Sequence, residues 1–276
     1  MKILEGKKFT KELIDHMKGL GSIDGFVAVF IEEGDDVQKS FFSQKERVAK
    51  ELGVEMRLHA LPEGGNDEAR EYIRKIVLTK RCKGALIQLP LKKRNGLYLA
   101  NVIPQEKDID ILSSRAYGDF LQGRGVILPP AVRVLEYIFH KENKCIEDFH
   151  TVAVVGQGRL IGKPVSAWIS QHVSQCLCLD KGYNKELIKE ADLVITATGS
   201  VGSLDPELLK KGAWVVDFGY GIKDGNIEGD MDRKKKYEHL AYLTPTPGGT
   251  GPLLVSALFE NLYVMQEKTT YEKTLS

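Results

Sequence analysis

The sequence predicts an α/β chain built as two α/β domains around a cleft. Three observations predict it. The first is Val152-Ala-Val-Val-Gly156, an apolar run of strand type that feeds into glycines and then a helix-like stretch.

 The four residues Val152 to Val155 thus lead directly into Gly156, Gly158 and Gly162. Short apolar runs then alternate with helical stretches through the second half, the pattern of a parallel sheet. The first half repeats that alternation independently. At 276 residues the chain is long enough for two domains with full cores.

In the second half, Gly156 lets the chain turn tightly and Gly158 lets backbone N–H groups approach a pyrophosphate. Gly162 allows the new helix, Lys163 to His172, to pack against the strand, so that phosphates sit at its positive end. The spacing G-x-G-x-x-x-G is one residue longer than the common fingerprint. Gln175 to Leu179 reads as a second strand ending in Asp180. An acidic residue about 20 residues past the glycines accepts hydrogen bonds from a ribose diol. Asp192 to Ala197 and Gly212 to Asp217 read as further strands, with a helical stretch from Pro206 to Lys211 between them. Residues 122–251 are therefore expected to form a Rossmann-type dinucleotide-binding domain. The alternative is a doubly wound domain for some other ligand.

In the first half, Gly25 to Ile31 is a buried-strand run. Val37 to Leu52 has helical periodicity and stops on Gly53. Val54 to Leu61 alternates as a strand, Asp67 to Thr79 is an amphipathic helix, and Gly84 to Pro90 is another strand. Gln88 lies at its carboxyl end, where ligands of parallel sheets gather. Residues 1–121 are expected to form one domain, with a C-terminal helix, 252–276, packing back on it. The glycine-rich stretch Tyr117 to Pro130 reads as the crossing between domains.

Composition narrows the function. The net charge is +1, from 39 basic and 38 acidic residues. Nothing there attracts nucleic acid or a membrane. No apolar stretch approaches the ~18 residues of a membrane span. The N-terminus lacks the apolar core of a secretion signal, which points to the cytoplasm. Arg233-Lys-Lys-Lys236 reads as a solvated turn. Cys82, Cys145, Cys176 and Cys178 are scattered and read as structural thiols in a reducing compartment. Cys176 and Cys178 share one strand face, but no second metal-spaced pair accompanies them, so no metal site is expected.

Five segments, in order, carry a resemblance. They are Phe41-Phe-Ser-Gln-Lys45, Ile87-Gln88-Leu-Pro-Leu91, Lys107-Asp-Ile-Asp110, Val154-Val-Gly156 to Gly162-Lys-Pro164, and Thr244 to Pro252. Over almost its whole length the chain resembles the bifunctional methylenetetrahydrofolate dehydrogenase/cyclohydrolases. The resemblance implies oxidation of 5,10-methylenetetrahydrofolate with NAD or NADP, then hydrolysis of the methenyl product to 10-formyltetrahydrofolate. It implies a homodimer and a folate site in the cleft between the domains. Lys45 is implied as the central catalytic group, because a lysine with a lowered pKa can steer protons beside a cationic carbon. Gln88 is implied to hydrogen-bond that lysine, and Asp110 to grip the pterin through paired N–H donors. Phe41, Pro247, Gly248 and Gly249 are implied to wall the substrate site.

Several positions depart from the family pattern. Phe41 stands in place of tyrosine, which keeps a stacking ring but loses a hydroxyl. Residues 33–38 do not match the usual loop, Ile111 replaces a glycine, and Leu254 replaces a threonine. Gln157 and Gly158 stand where an Arg-Ser pair commonly binds the 2′-phosphate of NADP. Together with Asp180, which repels a phosphate, this favours NAD; Arg159 and Lys181 could supply the missing positive charge. The rival readings are a shikimate- or quinate-type dehydrogenase and a non-catalytic folate- or nucleotide-binding protein.

Overall fold

The computed structural model describes the backbone of residues 1–32 and 36–275, and the side chains of that span outside 36–41 and 268–275. In chain order the first elements are β1 (Lys2–Ile3), α1 (Gly6–Gly19), β2 (Phe26–Ile31), α2 (Asp36–Leu52), β3 (Glu55–Ala60), α3 (Asn66–Val77), β4 (Cys82–Ile87), α4 (Gly96–Ala100), α5 (Ser114–Leu121) and α6 (Pro130–Lys141). There follow β5 (Thr151–Val155), α7 (Gly162–Ile169), β6 (Gln175–Leu179), β7 (Leu193–Thr196), β8 (Trp214–Asp217), β9 (Gly221–Lys223), β10 (Asn226–Glu228), β11 (Tyr242–Thr244) and α8 (Thr250–Leu275). They form two compact units. One comprises Glu12–Pro130 and Val255–Ser276, the other Met1–Lys11 and Ala131–Leu254.

The first unit is built on a parallel sheet of order β3-β2-β4. Its central strand β2 is Phe-Val-Ala-Val-Phe-Ile and is buried at every residue. A strand covered on both faces has no position for a polar side chain, which is why this run shows no alternation. The edge strand β3 alternates in sequence, but none of its residues is fully buried and Leu58 is exposed. Helix α3 buries Ala69, Ile73 and Val77, spaced four apart on one face. Helix α8 packs beside β4. A Cβ on Gly84 would lie 2.9 Å from both Ile109 Cγ2 and Leu262 Cδ1, so only glycine lets the helix approach this closely. Asn261 of α8 is wholly buried. Its Nδ2 donates to the carbonyls of Ile109 at 2.9 Å and Leu128 at 2.8 Å.

The second unit holds a six-stranded, wholly parallel sheet of order β1-β11-β8-β7-β5-β6. The chain runs outward from β5 to β6, then returns to place β7 on the other side of β5. The order therefore reverses between β5 and β7, and a crevice opens at the carboxyl ends of those two strands. Among the described residues no helix is long and apolar enough to cross a membrane.

Three details differ from the sequence expectation. The first eleven residues join the six-stranded unit, because β1 pairs with β11 through Lys2↔Tyr242 and Ile3↔Leu243. The stretch expected as a crossing, 117–130, starts inside α5, is non-helical from 122 to 129 and ends at the unit boundary. Ser113 caps α5 by accepting from Ala116 N at 3.2 Å, and the unit boundary falls at Pro130, the first residue of α6. The helix expected from Pro206 to Lys211 is only a 3-10 turn, Pro206–Leu208. Asp205 caps it, and Leu209 at ψ 147° has already returned to extended backbone.

Asn261→Leu leaves two buried carbonyls without a donor. An orphaned buried acceptor costs about 1–3 kcal/mol, so this variant should unfold at clearly lower denaturant than wild type. An unchanged midpoint would mean that the helix does not depend on this side chain.

Candidate active site

Lys45 lies in α2 and Gln88 immediately follows β4. Their side chains meet: Lys45 Nζ donates to Gln88 Oε1 at 2.7 Å. Gln88 is 8% exposed, and its Nε2 donates to the Leu89 carbonyl at 3.3 Å. The amide oxygen is thus presented to the lysine while the nitrogen is turned onto the backbone. Burial pushes the Lys45 pKa below the ordinary lysine value, and the neighbouring Asp110 charge partly restores it. Burial raises Asp110 to about 7, with Lys45 opposing the rise and Asp108 adding to it. The result is an ammonium and a carboxylate, both costly to charge, each biasing the other.

The turn that carries Asp110 is tightly fixed. Asp108 is fully buried, and its carboxylate accepts from Leu112 N at 3.1 Å and Ser113 N at 2.8 Å. Asn261 holds the Ile109 carbonyl from the other side. Ile111, at the position of the family's glycine, adopts φ 54° and is buried. A β-branched residue is disfavoured in this left-handed region by roughly 1–2 kcal/mol, so the surrounding hydrogen bonds impose the turn on it. At the end of β2, buried Glu32 accepts from Lys92 N at 2.6 Å and Lys93 N at 2.9 Å. Arg94 stands 3.8 Å from the same carboxylate, so the loop after Gln88 is anchored to the neighbouring strand end.

In the other unit, the glycine turn after β5 is shaped as a cradle. Gly156 has φ 94°, and a Cβ there would lie 2.5 Å from the Ala197 carbonyl oxygen. A Cβ on Gly162 would lie 1.7 Å from the Gly156 oxygen. Gly158 has open space beside it, leaving backbone accessible at the start of α7. These features fit a dinucleotide pyrophosphate at a helix N-terminus. Gln157 turns inward: its Nε2 donates to the Val154 carbonyl at 3.0 Å, and its Oε1 accepts from Ser166 Oγ at 3.1 Å. Asp180 is exposed at the end of β6 and accepts from Lys181 N at 2.9 Å. Arg159 is half-buried.

The structure thus brings Lys45, Gln88 and Asp110 together within one unit. Gly156 to Gly162 and Asp180 belong to the other unit, as do Pro247, Gly248 and Gly249. That last turn is close-packed: a Cβ on Gly6 would lie 2.3 Å from the Gly248 oxygen and 2.2 Å from that of Gly249. The Phe41 side chain and residues 33–35 lie outside the described residues. Sequence reasoning missed Glu32, Asp108 and Asn261. Glu32 carried a signal, since it follows a buried strand as Gln88 does.

Two family models match this chain. The tetrahydrofolate dehydrogenase/cyclohydrolase catalytic domain matches residues 4–110, and the NAD(P)-binding domain of the same family matches 132–270. The bifunctional protein FolD of Lactobacillus delbrueckii subsp. bulgaricus is 29% identical over 276 residues, covering 94% of this chain and 95% of its own. The bifunctional FolD methylenetetrahydrofolate dehydrogenase/cyclohydrolase of Campylobacter jejuni superposes with TM-score 0.90 at 23% identity, over 97% of this chain and 99% of its own. The Trypanosoma brucei enzyme, solved with NADP and an inhibitor, gives 0.87 at 22%, over 98% of each chain. At these identities the two superpositions speak to the fold.

Asp110 gives the unit a defined pH dependence. Its folded pKa, about 7, lies above that of an ordinary carboxylate, so the stability tied to its proton is present at low pH and lost as pH rises through 7. Asp110→Asn removes that loss. Its melting temperature relative to wild type should therefore climb between pH 5 and pH 8. A difference that does not vary with pH would contradict the raised value.

Proposed function

Because the chain belongs to the tetrahydrofolate dehydrogenase/cyclohydrolase family, we infer that it runs both reactions through the Lys45–Gln88–Asp110 group. The chain oxidises 5,10-methylenetetrahydrofolate to the methenyl form and hydrolyses that form to 10-formyltetrahydrofolate, a role in one-carbon metabolism. The observation that carries the assignment of residues is the 2.7 Å contact from Lys45 Nζ to Gln88 Oε1, with the lysine pKa lowered by burial.

Held at the glycine turn of Gly156, Gly158 and Gly162, a bound NAD(P)+ would supply the hydride acceptor for the methylene carbon. Asp110 holds the pterin, its two oxygens accepting paired bonds from adjacent ring N–H donors. Hydrolysis then begins when water adds to the cationic methenyl carbon. Lys45 in its neutral form takes the proton that the water sheds, and Gln88 Oε1 accepts from the ammonium so produced. The adduct collapses by breaking one C–N bond as the formyl carbonyl forms. Its hydroxyl proton ends on the released nitrogen. A lysine at its ordinary pKa would stay charged at neutral pH and could accept nothing, so burial is what enables this role.

For the dinucleotide, Gly156, Gly158 and Gly162 shape the pyrophosphate cradle, and Asp180 accepts from the adenosine ribose. We favour NAD. Gln157 is satisfied internally, so it offers no positive group to a 2′-phosphate, and exposed Asp180 opposes one. Arg159 and Lys181 are the residues from which NADP binding would come. Pro247, Gly248, Gly249 and Phe41 remain assigned to the folate site on the family resemblance. The same resemblance supports a homodimer, and the composition supports a cytoplasmic location.

Lys45→Met should lower cyclohydrolase turnover by about 100-fold or more, the scale of lost general acid–base help. Folate binding, measured separately, should fall less because Asp110 is retained. Near-normal turnover would remove Lys45 from the mechanism. For the cofactor, the ratio of kcat/KM for NAD over NADP should exceed one in wild type and drop in Asp180→Ser. A ratio favouring NADP that the substitution leaves alone would show that Asp180 does not read the ribose.

A further inference from the structure

The crevice between β5 and β7 has two walls. One is the glycine turn from Gly156; the other is the loop 197–200 that leaves β7. They touch without slack, since a Cβ on Gly156 would lie 2.5 Å from Ala197 O and 2.9 Å from Thr198 N. The position of the second wall depends on a residue 30 positions further along the chain from Ser200. Asp230 is wholly buried, and one of its oxygens accepts from Thr196 Oγ1 at 2.8 Å and Thr198 N at 2.6 Å. The other accepts from Ser200 N at 3.0 Å. Three donors from the end of β7 and its loop therefore converge on one carboxylate.

Asp230 is itself held in place. Its N–H donates to Asp217 Oδ1 at 3.2 Å, and the next N–H, of Met231, donates to Asp217 Oδ2 at 3.0 Å. Gly219 N also donates to Asp217, at 2.6 Å. A Cβ on Gly219 would lie 2.4 Å from Asp230 Oδ1, so this glycine leaves the room the carboxylate occupies. The relay runs from β8 through Asp217 and the Asp230 backbone to the Asp230 side chain, and from there to the crevice wall. Among the described residues, the hydrogen bonds to both carboxylates come from backbone N–H groups and a threonine hydroxyl. Both are used to fix backbone N–H groups.

We propose that Asp230 is a positioning residue for the dehydrogenase reaction, setting the loop 197–200 against the glycine turn so that the dinucleotide meets a preformed crevice. The proposal rests on the dinucleotide reading of that crevice. It assigns Asp230 no contact with substrate. Cyclohydrolysis consumes only water and uses Lys45 and Gln88 of the other unit, so it provides an internal control within the same protein.

The test compares Thr196→Val, Thr196→Ser and Asp230→Asn with wild type in both reactions. Thr196→Val keeps the shape of the side chain but removes one donor; Thr196→Ser keeps the donor. A hydrogen bond to a charged group accounts for about a tenfold change or more. The dinucleotide KM should therefore rise about tenfold in Thr196→Val and return close to wild type in Thr196→Ser. Asp230→Asn should show the larger rise, because its Nδ2 donor faces donors in any orientation. Cyclohydrolase turnover should hold within about twofold in the threonine variants. Wild-type protein that bound neither NAD nor NADP would remove the premise and the proposal with it. Given wild-type dehydrogenase activity, an unchanged dinucleotide KM in Thr196→Val would overturn the proposal. So would a parallel loss of both activities in Thr196→Val, or its failure to be rescued by serine.

Discussion

A lysine ammonium withdrawn from water, facing one neutral acceptor and one carboxylate, is the interaction around which the folate-binding unit is organised. Withdrawal lowers the cost of losing the proton, which is the shift that the proposed proton-carrier role of Lys45 requires. It works only if the surroundings stay dry and fixed. Gln88 supplies an oxygen from a strand end. Asp110 supplies opposing charge from a turn locked by Asp108 and Asn261. The strained backbone of Ile111 shows how firmly that turn is set.

The protein uses buried carboxylates in two ways, and their partners separate the two. Asp108, Asp217 and Asp230 accept from backbone N–H groups and serve as architecture. Asp110 instead faces Lys45, and burial raises its pKa to about 7. Burial raises the Asp108 carboxyl above the ordinary carboxylate range, and its hydrogen bonds from Ser113 and Leu112 oppose that rise. Asp217 is intermediate: its donors stabilise the charge, yet burial and Asp230 raise it to about 7.

Much of the fold was legible where a local pattern has one physical meaning. The unbroken apolar run of β2 could only be a strand covered on both faces, and the glycines after β5 could only serve a tight turn or a close approach. Lys45 and Gln88 were legible through the resemblance, not through composition. What was illegible depends on distant partners. Asn261 acts on a carbonyl 152 positions away, and Asp230 on a loop about 30 away. No spacing rule connects such positions. The crossing 117–130 was placed at the unit boundary, but its start was read too early, inside α5. Gly118, within that glycine-rich stretch, sits in α5 with open space beside it and is tolerated there. The short turn at Pro206 lacked the length that tertiary packing needs to sustain an α-helix.

The most direct test of this account is titration of the Lys45 side chain by NMR, with the lysine nitrogen isotopically enriched and its signal assigned through Lys45→Arg. In wild type its pKa should lie below the ordinary lysine value of 10.5. In Asp110→Asn it should fall further, since the charge that partly restores it is gone. A lysine titrating at its ordinary value, and unmoved by Asp110→Asn, would contradict the account at its centre.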